Sequence, residues 1–202
     1  MAVAGVILAG GGGRRMGGLD KAALQVGGIT LLDRVLAAAR PVCDRLVVVG
    51  PARATDVVDV EFVSEAAPGG GPVPAILAGV EVIGPEYDVV LVLAVDLPLL
   101  TTGDLRRLVA ALHSSGAAAA SSAEEDGPNP LLAAYRVPDL SARAASLGLG
   151  RGAPARHLLP AGPALVDLRP AALNVNRPED LAAAELLAAH DHQPPKSAPK
   201  TP

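Results

Sequence analysis

The sequence predicts an α/β fold in three layers, with a mostly parallel β-sheet covered by helices on both faces. Short apolar runs alternate with segments of helical periodicity as far as residue 112. The runs are continuously apolar, which is typical of strands buried on both faces of a parallel sheet. A chain of 202 residues has the length of one such domain.

The first half of the chain has the clearer signals. In the first predicted helix, apolar residues recur at helical spacing between Thr30, a suitable N-cap, and Pro41, a stop. Thr101 or Thr102 can cap the third helix. The predicted helices are 30–40, about 74–82 and 101–116. The predicted strands are 1–9, 45–50, 60–63 and, most strongly, 87–100.

The second half is less regular. Strands are predicted at 117–123, 131–137 and 163–168, short helices at 138–150 and 153–159, and a last helix at 174–190. Residues 124–130, "EEDGPNP", are predicted to be a loop. Asn176 is available as the cap of the last helix, with Pro178 in its first turn. The boundaries are a folded domain over 1–189 and a disordered polar, proline-rich tail over 190–202.

Composition excludes several classes of function. The chain has three aromatic residues and a net charge of -4, which argues against base stacking and against binding to nucleic acid or anionic membranes. Cys43 is the only cysteine, so neither an internal disulfide nor a cysteine zinc cluster can form. The apolar run 89–95 is too short to cross a bilayer, and no signal peptide is predicted. We expect a cytoplasmic protein.

A glycine-rich stretch, "ILAGGGGRRMGGLDKAAL", follows the first strand. Glycines there let the backbone approach a ligand, and with basic residues nearby they predict an anion site. The pattern matches neither the P-loop G-x-x-x-x-G-K-[ST] nor the dinucleotide pattern G-x-G-x-x-G. Further unusual stretches, 65–72 and 96–98, also follow strands, so all three should meet at the carboxyl edge of the sheet.

Lysine usage adds a second argument for an anion site. The chain has lysine only at positions 21, 196 and 200, against fourteen arginines. The folded body therefore contains the single lysine Lys21, which indicates a need for a compact ammonium rather than a planar guanidinium. A triphosphate oxygen is a fitting partner for it.

The stretch "LAGGGGRRMGGLDKA" resembles the signature L-A-G-G-x-x-x-R-M-G-x-D-K of MobA-like nucleotidyltransferases, most of all the molybdenum cofactor guanylyltransferases. The motifs "GGGPVPAILAG", "VDLP", "NPLLAAYR" and "NVNRPEDL" match in order, and the resemblance covers about residues 3–187. It implies a Rossmann-like nucleotidyltransferase fold. It also implies transfer of GMP from GTP to the terminal phosphate of molybdopterin, with release of pyrophosphate.

The resemblance implies roles for particular residues. Catalytic roles fall to Lys21, Asp96 and Arg15, with Asp96 as the ligand of Mg²⁺; Asp20 belongs to the signature and could orient Lys21. Arg14 would be solvated or face a partner. The nucleotide-binding residues would be Leu8, Ala9, Gly10, Gly11, Gly18, Lys21, Gly50, Glu65, Gly71 and Asp96.

The acceptor would lie across the second half of the chain. Molybdopterin, with or without molybdenum, would contact Arg151, Asn174 and Asn176, and Arg156 is an alternative to Arg151. Two positions depart from the family pattern: Gly50 stands where asparagine is usual, and Glu65 where we expect aspartate. Molybdenum-insertion proteins and cofactor-accepting apoenzymes would be partners.

Three alternatives remain open at this point. The enzyme could use CTP with molybdopterin, or GTP with a phospholactate-type acceptor, because the first loop does not separate these substrates. A nucleotide-binding protein without catalysis is the third. Lys21 and Asp96 argue against it, since a binder has less need of a metal-ligating carboxylate beside the phosphates.

Overall fold

A computed structural model describes residues 1–10, 19–64, 69–148 and 150–191, with the side chains of 190 and 191 left out. In these ranges a seven-stranded sheet has the order β5-β4-β1-β6-β8-β7-β9. Its strands are β1 (Val3–Leu8), β4 (Arg45–Val49), β5 (Val60–Val63), β6 (Val89–Ala94), β7 (Ala119–Glu124), β8 (Gly127–Arg136) and β9 (Ala164–Val166). A separate hairpin pairs β2 (Gln25–Val26) with β3 (Ile29–Thr30).

The sheet is mostly parallel, as predicted. Strand β1 lies inside the sheet and pairs in parallel with β4 and β6, and β4 pairs in parallel with β5. Strand β8 runs antiparallel to both of its neighbours, while β9 is parallel to β7. The carboxyl ends of β5, β4, β1 and β6 therefore meet at one edge, where parallel sheets bind their ligands.

Helices cover both faces, which confirms the three-layer prediction. Alternate residues of each strand point to opposite faces; on β1, Ile7 joins one apolar cluster and Val6 the other. The first cluster packs against α1 (Leu31–Ala39) and α3 (Thr102–Ser115). The second packs against α2 (Pro72–Ile83) and α4 (Val137–Ser146).

The predicted caps are largely confirmed. Thr30 accepts a hydrogen bond from the Asp33 N–H at 3.0 Å and begins α1. Of the two candidates for α3, Thr101 is the N-cap and forms a capping box with Asp104. Helix α2 begins at Pro72, earlier than expected, because proline fits the first turn of a helix.

Two local predictions differ from the structure. Residues 124–130 are not a loop: β7 continues to Glu124 and β8 starts at Gly127, so the turn needs only two residues. Left-handed Gly127, with φ of +109°, permits this tight reversal. The sequence prediction also missed the β2–β3 hairpin, whose turn is made by Gly27 and Gly28 at φ of +60° and +76°, a favoured pair for such a turn.

Helix α5 (Pro178–Asp191) ends the described chain. It packs on the β2–β3 hairpin through a small apolar cluster that includes Val26, Val175 and Ala184. The helix reaches two residues into the segment assigned to the tail, and 192–202 lie outside the described residues. None of the helices in the described part of the chain combines the length and apolar character needed to cross a membrane.

Because of Cys43, the free energy of unfolding is expected to fall at alkaline pH. Its side chain lies in the first apolar cluster beside Gly5, and burial raises the pKa of the thiol from 9.0 to about 12. The unfolded thiol ionises above pH 9 while the folded one stays protonated, so stability present below pH 9 is lost as the pH rises towards 12.

We predict that the wild type loses about 1–2 kcal/mol more unfolding free energy than Cys43→Ala between about pH 8 and pH 10. Urea unfolding followed by circular dichroism at the two pH values measures this. Equal pH dependence in the two proteins would contradict the prediction.

Candidate functional site

Lys21 lies at the carboxyl edge of the sheet and joins three distant parts of the chain. Its Nζ donates to Asp96 Oδ2 at 2.7 Å and to Asn176 Oδ1 at 2.8 Å. Asp96 comes just after β6, and Asn176 just before α5. The glycine-rich motif, "VDLP" and "NVN" therefore meet at one point.

Backbone hydrogen bonds hold these segments in register. The N–H of Val95 donates to the carbonyl of Leu8 at 3.1 Å, which extends the pairing of β1 with β6 beyond its last registered pair. The carbonyl of Asp96 accepts from the N–H of Val175 at 2.9 Å. These contacts hold the backbone segments that carry the Asp96 and Asn176 side chains.

The Lys21–Asp96 pair is partly shielded from water. The two side chains are 21% and 16% exposed, so their attraction is screened less than that of a surface pair. An ammonium has three N–H donors, and the bonds to Asp96 and Asn176 use two of them. The third donor suits an anionic oxygen that arrives at this edge.

Lys21 is presented by a short turn. Residues Lys21–Ala23 form one turn of 3-10 helix, and Asp20 is its N-cap, with Oδ1 accepting from the Ala22 N–H at 3.2 Å. Both oxygens of the Asp20 carboxylate also accept from Arg53: Nε donates to Oδ2 at 2.7 Å and Nη2 to Oδ1 at 2.8 Å. Hydrogen bonding from Arg53 holds the pKa of Asp20 below its usual value.

The predicted first loop is described only in part. Leu8 and Ala9 are buried and Gly10 is exposed. The predicted site residues Gly11, Arg15 and Gly18, together with Arg14, lie in 11–18, outside the described residues, and Glu65 lies in 65–68, which is also outside them.

The second glycine loop contacts the segment predicted to face the acceptor. The Gly152 N–H donates to the Gly70 carbonyl at 2.6 Å, which places Arg151 next to that loop. Gly71, with φ of +96°, is the N-cap of α2. Arg151 and Arg156 are both exposed, and of the two Arg151 is adjacent in sequence to this contact.

The two asparagines of "NVN" have different environments. Asn174 Nδ2 donates to the nearby Ala172 carbonyl at 3.2 Å. The predicted capping role of Asn176 is not what the structure shows, because its Oδ1 accepts from Lys21. Asp180 Oδ2 instead accepts from the N–H groups of Asn176 and Arg177 ahead of α5.

Residues 5–162 match the family model of the MobA-like NTP transferase domain. The chain belongs to this family. It is 33% identical over 200 residues to the molybdenum cofactor guanylyltransferase of Bradyrhizobium sp. (strain ORS 278), an alignment that covers 93% of this chain and 94% of that one. It is 35% identical over 200 residues to that of Cereibacter sphaeroides (strain ATCC 17029 / ATH 2.4.9), covering 95% and 100%.

Solved structures with the same fold include enzymes for different nucleotides. One is the 2-C-methyl-D-erythritol 4-phosphate cytidylyltransferase of Thermus thermophilus, with a TM-score of 0.68, 26% identity, and coverage of 94% of this chain and 100% of that one. Another is the molybdopterin-guanine dinucleotide biosynthesis protein A of Archaeoglobus fulgidus, with a TM-score of 0.68, 24% identity, and coverage of 93% and 99%. At this level of identity, the likeness to the Archaeoglobus protein shows that the two chains share a fold.

Gly50 has no room for a side chain. Its φ is +151°, and a Cβ there would lie 2.8 Å from both Ala9 C and Gly10 N. Its N–H already donates to the Val63 carbonyl at 2.8 Å, so its carbonyl is what it can offer a nucleotide. A side chain at this position would push away the start of the glycine-rich loop.

Arg53 is the residue that sequence reasoning missed in this MobA-like domain. It lies three residues after Gly50, in a segment with no recognisable motif of its own. No spacing rule links positions 53 and 20, because the contact is created by the adjacency of β4 and β1. The sequence carries one hint of this contact: Asp20 follows β1 and Arg53 follows β4, and these two strands are neighbours.

We predict that Gly50→Ala lowers the free energy of unfolding by about 2–4 kcal/mol, through backbone strain and the clash with the first loop. Gly116→Ala is the matched control, because Gly116 also has a positive φ, +66°, but open space around it. We expect Gly116→Ala to lower the free energy of unfolding by about 1 kcal/mol. Urea unfolding measures both losses, and equal losses would contradict close packing of the loop on Gly50.

Proposed function

We propose that this protein transfers GMP from GTP to the terminal phosphate of molybdopterin and releases pyrophosphate. One observation carries the proposal: the Lys21 ammonium is held between Asp96 and Asn176 at the ligand-binding edge of the sheet. The relatives from Bradyrhizobium and Cereibacter, which match nearly the whole chain, bear the name of this activity.

The reaction joins two anions, so positioning and charge neutralisation are the protein's main tasks. An oxygen of the pterin's terminal phosphate attacks the α-phosphorus of GTP. The bond from that phosphorus to the bridging oxygen breaks, and pyrophosphate leaves with the electron pair. Lys21 would direct its remaining donor at the phosphates, and Arg15 would offset further charge.

The proposed nucleotide site follows the carboxyl ends of the strands. Backbone groups of Leu8, Ala9 and Gly10 lie at the end of β1, and Gly11 and Gly18 would continue this lining. Gly50 and Gly71 border the same edge after β4 and before α2, and Glu65 would contact the nucleoside. On the acceptor side, Arg151, Asn174 and Asn176 would bind the pterin or its phosphate.

The proposal includes magnesium, with Asp96 as its ligand. Among the described residues, one hydrogen bond reaches this carboxylate, from Lys21 to Oδ2, and Oδ1 would be the oxygen that meets the cation. No group of three or more His, Cys, Asp or Glu side chains in the described ranges could hold a metal ion. Magnesium beside phosphates needs only one or two protein carboxylates, so the residues fit. The bound ion would offset phosphate charge.

The proposal extends to the cellular setting in outline. We expect the protein to act in the cytoplasm, to receive molybdopterin with or without molybdenum, and to exchange cofactor with molybdenum-insertion proteins and cofactor-accepting apoenzymes. The cytidylyltransferase fold neighbour makes CTP the alternative nucleotide to test.

We predict that calorimetry with Mg²⁺ finds GTP bound more tightly than CTP or ATP, and that Lys21→Ala weakens GTP binding by about 10–100-fold, through the loss of charge-assisted hydrogen bonds to phosphate. Lys200→Ala is the matched control, since position 200 lies beyond the family match. Preference for CTP would overturn the guanylyl assignment. Absence of nucleotide binding at millimolar concentration would overturn the enzyme assignment.

We predict that Asp96→Asn lowers the rate of GMP transfer by about 100-fold or more and weakens the magnesium dependence of GTP binding. The amide keeps the shape of the side chain and an oxygen for Lys21 but removes the charge. Asp88→Asn, which changes the aspartate just ahead of β6 at the opposite edge, is the control. Unchanged magnesium dependence in Asp96→Asn would contradict metal ligation by this residue.

A further inference from the structure

Arg53 makes a set of contacts that the proposed chemistry does not use. Its Nε and Nη2 form a bidentate pair with the two carboxylate oxygens of Asp20, and its Nη1 donates to the carbonyl of Pro51 at 2.8 Å. The Arg53 side chain is 18% exposed. A fork of this kind fixes the orientation of a carboxylate as well as its position.

Asp20 connects this fork to Lys21. One of its oxygens also accepts from the Ala22 N–H and so caps the turn that Lys21 begins. A continuous series of contacts therefore runs from Arg53 through Asp20 and the turn to the Lys21 ammonium. That ammonium ends between Asp96 and Asn176.

The turn needs an external support. It has three residues, and such short 3-10 turns have poor hydrogen-bond geometry of their own. The lysine side chain is a flexible four-carbon stem, so its ammonium is placed accurately only if the turn is fixed. The hydrogen bonds from Arg53 also favour the charged form of Asp20 and hold its pKa below the usual value.

We propose that Arg53 is a positioning residue of the nucleotide site: through its bidentate ion pair with Asp20 it fixes the turn that presents Lys21 to the phosphates. This inference rests on the proposed function, because it assumes that Lys21 meets a nucleoside triphosphate. Three guanidinium nitrogens of Arg53 already donate within the protein. Its contacts run to Asp20 and to the Pro51 carbonyl, so the role we assign to Arg53 acts through Asp20.

A nucleotide-free experiment tests the first half of the inference. Lysine stands only at positions 21, 196 and 200, so Lys196→Arg with Lys200→Arg leaves Lys21 as the single lysine. In ¹³C-lysine-labelled protein of this background, we expect Arg53→Met and Asp20→Asn to shift the Lys21 Cε–Hε signals towards those of a free, solvated lysine. Unchanged Lys21 signals in Arg53→Met would overturn the proposal.

Arg45→Met is the matched control for this experiment. Arg45 begins β4 at the opposite edge of the sheet and pairs with Glu61 at 2.7 Å, so its loss should leave the Lys21 signals in place. An equal shift in Arg45→Met would show a general loosening of the fold and would overturn the specific role of Arg53. If Arg53→Met does not fold, Arg53→Lys, which keeps the charge and loses the fork, takes its place with the same expected direction.

A binding experiment tests the second half. We expect the Kd for GTP, measured by calorimetry, to rise about tenfold in Arg53→Met and in Asp20→Asn, with the double variant no weaker than the worse single one. A purely structural effect would lower the fraction of protein that binds and leave the Kd unchanged, which would overturn the proposal. Additive losses would also overturn it, because they would show that the two residues act independently.

The two proposals fail in different ways. A wild type that binds no GTP overturns the proposed function, while the Lys21 signals still decide whether Arg53 positions Lys21. A wild type that binds GTP with the same Kd as Arg53→Met leaves the proposed function standing and overturns the role of Arg53.

Discussion

The bonds from the Lys21 ammonium to Asp96 and Asn176 are the interaction on which the rest of the site depends. Each partner comes from a different motif, and each would be a polar group in a partly buried position if the others were absent. Their mutual hydrogen bonding lets the turn at Lys21, the residue after β6 and the residues before α5 lie close together. An anion that arrives there meets the Lys21 ammonium, already aligned by a carboxylate and an amide.

This arrangement is possible because of the strand order. With β1 between β4 and β6, the loops that leave three parallel strands emerge side by side. The close approach of Gly50 to Ala9 and Gly10 belongs to the same geometry, since adjacent loops have no room for a side chain between them. The fork from Arg53 to Asp20 spans the same pair of neighbouring loops. The sheet thus creates the site as much as the motifs do.

Much of the fold could be predicted from the sequence, because its first half has strong local signals. Apolar runs, helical spacing and caps such as Thr30 act within a few residues. The segment 124–130 was misjudged because strand pairing outweighs the turn preference of its residues. The hairpin β2–β3 was missed because its strands have two residues each, although Gly27 and Gly28 carried a signal.

For the site, the sequence by itself determined which residue types are present: a lone lysine in the folded body, a carboxylate after the strongest strand, and glycines where the backbone must approach a ligand. Only the tertiary structure decided which residues pair. Asn176 accepts a hydrogen bond from Lys21 instead of capping a helix, and Arg53 forms an ion pair with Asp20. The physical reason is range. Propensity and periodicity act between near neighbours in the chain, whereas a hydrogen bond between residues 21 and 176 exists only after the sheet has brought its loops together.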